Sequence, residues 1–252
     1  MKNTLTLLLA ILLISIISCS SKKTTTSTKK NKKAVKETTY IKKEILTKNE
    51  AEDLLVLREE EKIARDVYLY SYDKYNTKIF YNISLSEQQH MDKILFLLLK
   101  YGLKDPASME RGKFNNVKLQ ELYNKLTTQS DISLVEALKV GATIEDLDIF
   151  DIDAFMSRTN DVDITKVYKM LNCGSRNHLR AYMKQLKKND GAYTPQFLSQ
   201  EKFDKILKGS HEQCGKGNQK GQGKGKGKGQ GMGKGQGGGH GQGRGRGRNN
   251  GF

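Results

Sequence analysis

The chain has 252 residues and a formal net charge of +16, and its two ends carry this charge. Residues 20–48 hold ten lysines and two glutamates, and residues 209–252 hold nine basic residues and one glutamate. The stretch between them, residues 49–208, has 24 basic and 25 acidic residues and is nearly neutral. The total charge is therefore no evidence that the folded part binds nucleic acid, and we expect no sequence-specific nucleic-acid binding.

The first 18 residues have the composition of a secretion signal. Lys2 is followed by an uncharged apolar stretch that is too short to span a bilayer comfortably. The sequence Ile-Ile-Ser-Cys at residues 16–19 resembles the lipobox of bacterial lipoproteins, in which the cysteine is lipidated and becomes the first mature residue. Acyl chains on Cys19 would then anchor the protein to a membrane in the bacterial cell envelope, outside the cytoplasm. The alternative is an ordinary signal or anchor helix with a chance cysteine.

The segments that flank the nearly neutral stretch are predicted to be disordered. Residues 19–48 begin with the lipidated cysteine and continue as a spacer rich in Lys, Ser and Thr, with few apolar residues. Residues 209–252 alternate glycine with Lys, Gln and Arg and contain 19 of the 24 glycines. Both are expected to bind envelope polyanions nonspecifically, and the tail lacks the interleaved aromatic residues that stack on bases. Weak metal sequestration through His211 and His240, or no function, are the alternatives for the tail.

Residues 49–208 are predicted to form one all-α domain, because apolar residues recur there at spacings of three and four. Proline occurs only at positions 106 and 195, and no alternating pattern predicts a strand. The predicted long helices span residues 49–76, 84–101, 133–149 and 164–188, and short helices span residues 117–127 and 200–208. These elements predict a four-helix bundle in which the long connection between the second and third long helices is a crossover.

The inward-facing row of each long helix is interrupted near its middle by a residue that can bind a metal. A carboxylate buried in a bundle core needs a cation or a strong hydrogen-bond donor beside it. The five predicted ligands, contributed by four helices, are Glu61, Glu87, His90, Glu145 and His178. Carboxylates and imidazoles at this density are the ligand set of a non-haem pair of Fe or Mn ions.

Several motifs, taken together, resemble those of ferritin-like proteins. The sequence Glu-Lys-Ile-Ala-Arg-Asp-Val-Tyr at 61–68 resembles the first ligand helix of rubrerythrin-like ferritins, and Glu-Gln-Gln-His at 87–90 resembles their Glu-x-x-His helix. Residues 137–145 resemble their third helix. More closely, the combination of residues 58–68, 86–91, 101–106 and 174–180 resembles the DUF2202 family, a ferritin-like group. The resemblance implies a ferritin-like four-helix bundle, with ferroxidase-like or peroxidase-like activity as one expectation.

The fourth long helix departs from the ferritin-like pattern. A typical di-iron bundle has a second Glu-x-x-His there, whereas this chain has Ser175 three residues before His178. Asp148, one turn beyond Glu145, is a candidate substitute ligand. A mononuclear site, or no metal, remains an alternative, so the resemblance implies the fold more strongly than it implies di-iron chemistry.

Each predicted ligand also has a simpler interpretation. Glu87 stands three residues after Ser84, as in a capping box, and Glu61 lies four residues before Arg65, as in an intrahelical ion pair. Glu145 precedes aspartates at positions 146, 148, 151 and 153 and would then belong to a solvated acidic face. The two histidines would then be ordinary core residues.

Four further residues have predicted environments. Glu59 and Glu60 are predicted to be exposed. Cys173 and Cys214 would either pair outside the cytoplasm or remain free thiols, and their spacing does not decide between these states.

Two functional hypotheses follow from these patterns. The first is an envelope-anchored metal-binding protein that oxidises iron or handles peroxide or oxygen. The second is a metal-free helical interaction module whose polycationic arms bind envelope polyanions. The sequence leaves a homo-oligomer open, and it contains no phosphate loop, nucleophile-base arrangement or cofactor fingerprint.

Overall fold

The computed structural model describes residues 46–215, which form six α-helices and no strand. The four long helices are α1 (Lys48–Tyr75), α2 (Lys78–Tyr101), α4 (Leu134–Ser157) and α5 (Val162–Lys188). The two shorter helices are α3 (Val117–Ser130) and α6 (Gln200–Lys208). The prediction of an all-α domain is therefore confirmed for these residues. The predicted signal, Cys19, the tether to residue 45 and the tail from residue 216, including His240, lie outside the described residues.

Local sequence sets the ends of the first helical hairpin. Thr47 and Glu50 form a reciprocal capping box at the start of α1. Asn76 caps the C-terminal end of the helix, and its left-handed backbone (φ 47°) allows the chain to reverse within two residues. Gly102, also left-handed (φ 71°), ends α2. Consequently α1 and α2 pack side by side as an antiparallel pair.

Two predicted helix bounds differ from the structure by more than three residues. Helix α2 begins at Lys78, not at residue 84, and Ser84 lies inside it with its hydroxyl donating to the Tyr81 carbonyl. Residues before Ser84, such as Phe80, are buried and continue the apolar row. Helix α4 continues past residue 149 to Ser157, because Ile152 and Phe155 extend its buried face beyond the acidic stretch.

The four long helices pack as two hairpin pairs, α1 with α2 and α4 with α5, and the pairs contact each other. The connection from α2 to α4 is long and contains α3, which packs across α1 and α4. Buried Lys62 fastens this connection, because its ammonium donates to Asp66 (2.6 Å) and to the Glu110 carbonyl (3.0 Å). The backbone N–H of Gly112 donates to the same Asp66 carboxylate at 2.9 Å.

The core consists of two apolar clusters. One cluster includes Val67, Tyr68 and Leu138, and the other includes Leu57 and Ile94. The buried carboxylates and imidazoles of the bundle come from the same helices that supply the two clusters. This arrangement keeps the polar groups away from solvent.

The end of the described chain is fastened to α5. Cys173 and Cys214 form a disulfide. Of the two predicted alternatives, paired or free thiols, the structure therefore has the paired state. The Glu212 carboxylate accepts hydrogen bonds from Arg176 and from Arg180, the latter at 2.6 Å. Residues 209–215, predicted as the start of the tail, thus form a strap along α5. Within the described residues, no helix combines the length and apolarity needed to cross a membrane.

The prediction that Glu59 and Glu60 are exposed is wrong. Glu59 is 6% exposed and Glu60 is 9% exposed. Both lie on the side of α1 that the crossover connection covers: Arg58 beside them pairs with Asp105 at 2.8 Å, and Glu60 faces α3 and α4. Burial raises the pKa of Glu59 to about 7.

Candidate metal centre

The five predicted ligands are all buried, and the structure brings them together. Glu61 comes from α1, Glu87 and His90 from α2, Glu145 from α4 and His178 from α5. Their ligand atoms form two groups that could each hold a metal ion, and Glu87 belongs to both groups. One group adds Glu61 and His90, and the other adds Glu145 and His178.

Each oxygen of the Glu87 carboxylate faces a different histidine. Its Oε2 lies 2.7 Å from His90 Nδ1, and its Oε1 lies 2.8 Å from His178 Nδ1. His90 Nδ1 is also 3.2 Å from Glu61 Oε2, and His178 Nδ1 is 3.4 Å from Glu145 Oε2. The two imidazole rings are stacked with centroids 5.6 Å apart. The arrangement is nearly symmetric about the shared carboxylate.

Several carboxylate oxygens of this cluster lack a hydrogen-bond partner among the described residues. They include Glu61 Oε1 and Glu145 Oε2, both fully buried. A buried carboxylate oxygen without a donor is costly, and the charged neighbours that act most strongly on Glu61, Glu87 and Glu145 are histidines and glutamates, not lysine or arginine. Two divalent cations would supply the missing positive charge, so the donor set fits a pair of such ions.

The pKa values show how strongly these groups depend on one another. Burial raises the pKa of Glu61 to about 8 and that of Glu145 to about 7. Burial also disfavours ionised Glu87, but the neighbouring imidazoles outweigh it and hold the pKa of Glu87 well below its usual range. Burial likewise opposes charge on His178, yet Glu87 and Glu145 raise the pKa of His178 to about 10. Protons thus occupy the positions from which cations would displace them.

The family follows from comparison with known proteins. The family model described as "Uncharacterized protein domain (DUF2202)" matches residues 50–210, which include all five clustered side chains. The chain belongs to the DUF2202 family. A curated relative, "Uncharacterized protein MJ0754" of Methanocaldococcus jannaschii, is 48% identical over 172 residues, which cover 68% of this chain and 93% of that protein. The crystal structure of hypothetical protein MJ0754 from the same organism matches with a TM-score of 0.65, covering 66% of this chain and 96% of that one.

The simpler interpretations of the clustered glutamates do not hold in this DUF2202 domain. Glu87 lies deep inside α2 and caps no helix. Arg65 pairs with Asp66 and donates to Gln88, so it does not neutralise Glu61. Glu145 is fully buried rather than part of a solvated face.

The neighbouring Asp146 is buried as well. Its carboxylate accepts hydrogen bonds from the Tyr193 hydroxyl (2.7 Å) and from the backbone N–H groups of Gln196 (2.6 Å), Phe197 (3.1 Å) and Leu198 (3.0 Å). It therefore holds the loop before α6 and takes no part in the cluster.

The residue that departs from the ferritin-like pattern and the candidate substitute ligand both lie outside these two groups. Ser175 is buried and its hydroxyl donates to the Leu171 carbonyl at 3.2 Å, so the fourth helix contributes only His178. Asp148 is buried, but it belongs to neither group of ligand atoms.

Three residues outside the predicted ligand set support the candidate centre. The Tyr68 hydroxyl donates to Glu145 Oε1 at 2.7 Å, and Ser86 Oγ lies 3.0 Å from His178 Nε2. Gly174 allows α5 to approach the ring of His90. Helical spacing does not predict the role of Ser86, because Ser86 contacts a different helix. A glycine inside a long helix, by contrast, itself indicates close packing.

Proposed function

We propose that this domain is a ferritin-like protein that binds two iron or manganese ions in the bundle core. Glu61, Glu87 and His90 would hold one ion, and Glu87, Glu145 and His178 would hold the other. The observation that carries the proposal is the shared carboxylate of Glu87, whose two oxygens each face the Nδ1 atom of a different histidine. A carboxylate between two such groups is the usual means of joining two cations in helical bundles.

The clustered residues would have different roles in such a centre. Three carboxylates neutralise the cations, and two imidazoles supply nitrogen ligands. The hydroxyls of Tyr68 and Ser86 orient Glu145 and His178, and the apolar clusters exclude water. Bound iron would supply one-electron redox chemistry, so we propose oxidation of Fe(II), or reaction with peroxide or oxygen, as the activity.

We further propose that the protein is a lipoprotein of the bacterial cell envelope, anchored through Cys19. The signal-like residues 1–18 and the lipobox resemblance support this proposal. The disulfide between Cys173 and Cys214 is a second support, because such bridges persist mainly outside the cytoplasm. Radiolabelled fatty acid should label the wild-type chain and not a Cys19→Ala variant, and label on the variant would contradict the anchor.

The metal proposal is tested by elemental analysis of the full chain, purified without a histidine tag, loaded anaerobically with Fe(II) or Mn(II) and desalted. We expect about two tightly held ions per chain, because two ligand groups share Glu87. Glu61→Ala and His178→Ala should each lose metal. His211→Ala, which removes an exposed histidine, is the matched control.

The other outcomes are equally informative. A single ion per chain, lost in both variants, would indicate that Ser175 leaves the second position incomplete. No retained ion would contradict the proposal and favour the metal-free interaction module.

Binding of the polycationic arms to an anionic polysaccharide, which we propose as a separate property, should weaken steeply with salt.

A further inference from the structure

A second pair of buried carboxylates lies next to the proposed metal centre. Glu60 on α1 and Asp148 on α4 line a cavity that α3 closes on its other side. The remaining lining residues are a threonine and apolar side chains, namely Ile63, Leu119, Leu122, Leu126, Thr143, Ile144 and Leu147. The cavity has a volume of about 20 Å³, which is room for one water-sized species and too little for an organic substrate.

Both carboxylates of this pair have an oxygen without a partner. Within residues 46–215, Glu60 Oε2 and Asp148 Oδ2 are buried and accept no hydrogen bond, and no basic residue lines the cavity. Two buried aspartates outside the centre differ, since Asp66 accepts from Lys62 and Asp146 accepts from three backbone N–H groups. The packing of the domain thus gives no structural reason for acidic residues at positions 60 and 148.

The cavity and the centre share helices α1 and α4. Glu60 is the residue before Glu61, and Asp148 follows Glu145 by one helical turn. The two carboxylates of the cavity therefore lie close along the chain to two predicted ligands of the centre.

We propose that Glu60 and Asp148 form a staging site for a divalent cation, from which the ion passes to the five-residue centre. This inference rests on the proposed function. A site with two carboxylates and no imidazole suits a hard cation such as Fe(II) or Mn(II) and, with only two protein ligands, holds it weakly. The centre, with three carboxylates and two imidazoles, holds the ion more tightly, so the cation moves inward.

The test measures how fast Co(II), a visible-absorbing substitute for Fe(II), fills the centre of the full chain in a stopped-flow instrument. Glu60→Gln and Asp148→Asn remove the charges while keeping the shapes. Leu122→Trp fills the cavity and leaves both carboxylates in place. Glu121→Gln, an exposed change on α3, controls for the general surface charge, and Glu61→Gln damages the centre itself.

We expect Glu60→Gln, Asp148→Asn and Leu122→Trp to reach the wild-type Co(II) content but to fill about tenfold more slowly. Glu121→Gln should fill at the wild-type rate. Filling at the wild-type rate by all three cavity variants would overturn the staging site while leaving the centre intact. If the wild type takes up no Co(II), or if Glu61→Gln takes up as much as the wild type, the proposed function itself fails and the staging site fails with it.

Discussion

The backbone of Gly174 on α5 lies against the imidazole of His90 on α2, so that a Cβ atom at position 174 would be 2.6 Å from His90 Nε2. No side chain fits at that distance unless the ring moves. The ring is held on its other side, where Nδ1 faces Glu61 and Glu87. The glycine therefore fixes how closely the fourth long helix approaches the candidate centre.

Gly174→Ala should push His90 out of place and weaken metal binding by about tenfold, the usual effect of disturbing the support of a ligand. Thermal stability should change less, because alanine favours a helix over glycine by about 1 kcal/mol and offsets part of the strain. Metal titration and thermal unfolding check this separation. Ser175→Ala, at the next position, is the control, and unchanged affinity in Gly174→Ala would contradict the role of the glycine.

The buried hydroxyl of Tyr68 supports Glu145 through a hydrogen bond of 2.7 Å. Tyr68→Phe should lower the free energy of unfolding by about 1–3 kcal/mol, the cost of leaving a buried acceptor without its donor, and should weaken metal binding. Tyr168→Phe is the matched control, because the Tyr168 hydroxyl is buried and has no hydrogen-bond partner within residues 46–215. Denaturant unfolding measures both, and equal losses in the two variants would refute the specific support.

Ser175 occupies the position where a ferritin-like fourth helix would carry a glutamate. Ser175→Glu should lower the stability of the metal-free domain, because it adds a fourth carboxylate near three that already repel one another. The same variant should gain more stability on adding Mn(II) than the wild type does. Melting temperatures with and without Mn(II) test this, with Ser175→Gln as the uncharged control. An equal gain in the glutamate and glutamine variants would show that position 175 does not reach the ions.

The strap along α5 should loosen in acid. Hydrogen bonds from Arg176, opposed by slight burial and aided by Arg180, lower the pKa of Glu212 from its ordinary 4.5 to about 2. A lowered pKa means that ionised Glu212 stabilises the fold above pH 4.5, and that this stabilisation disappears as the pH falls toward 2. Because the side chain is 32% exposed, we expect a contribution of no more than about 1 kcal/mol.

The measurement compares wild type with Glu212→Gln by thermal unfolding between pH 7 and pH 2. The wild type should be more stable at neutral pH, and the difference should vanish near pH 2. Glu201→Gln, an exposed change on α6, should show no such dependence. A difference that persists at pH 2 would mean that Glu212 acts through packing and not through its charge.

The local errors of sequence reasoning have a common cause. Ser84 and Glu87 imitate a helix start, yet α2 begins six residues earlier because Phe80 and Ile83 have a core to pack against. Glu59 and Glu60 have the composition of a solvated surface, yet the crossover connection covers them. Short-range sequence patterns cannot predict burial by a segment that lies far away in the chain.

The sequence by itself determined the helical class and the five side chains that meet in the core. The helical period of 3.6 residues places these five side chains on the inward-facing rows of their helices, whichever helices pack beside them. Only the tertiary structure decided that Glu87 lies between two histidines, that Gly174 supports His90, that Cys173 pairs with Cys214, and that Glu60 and Asp148 share a cavity. Each of these relationships joins different helices or distant segments, and the distance between them depends on how the bundle packs and not on the spacing of residues along the chain.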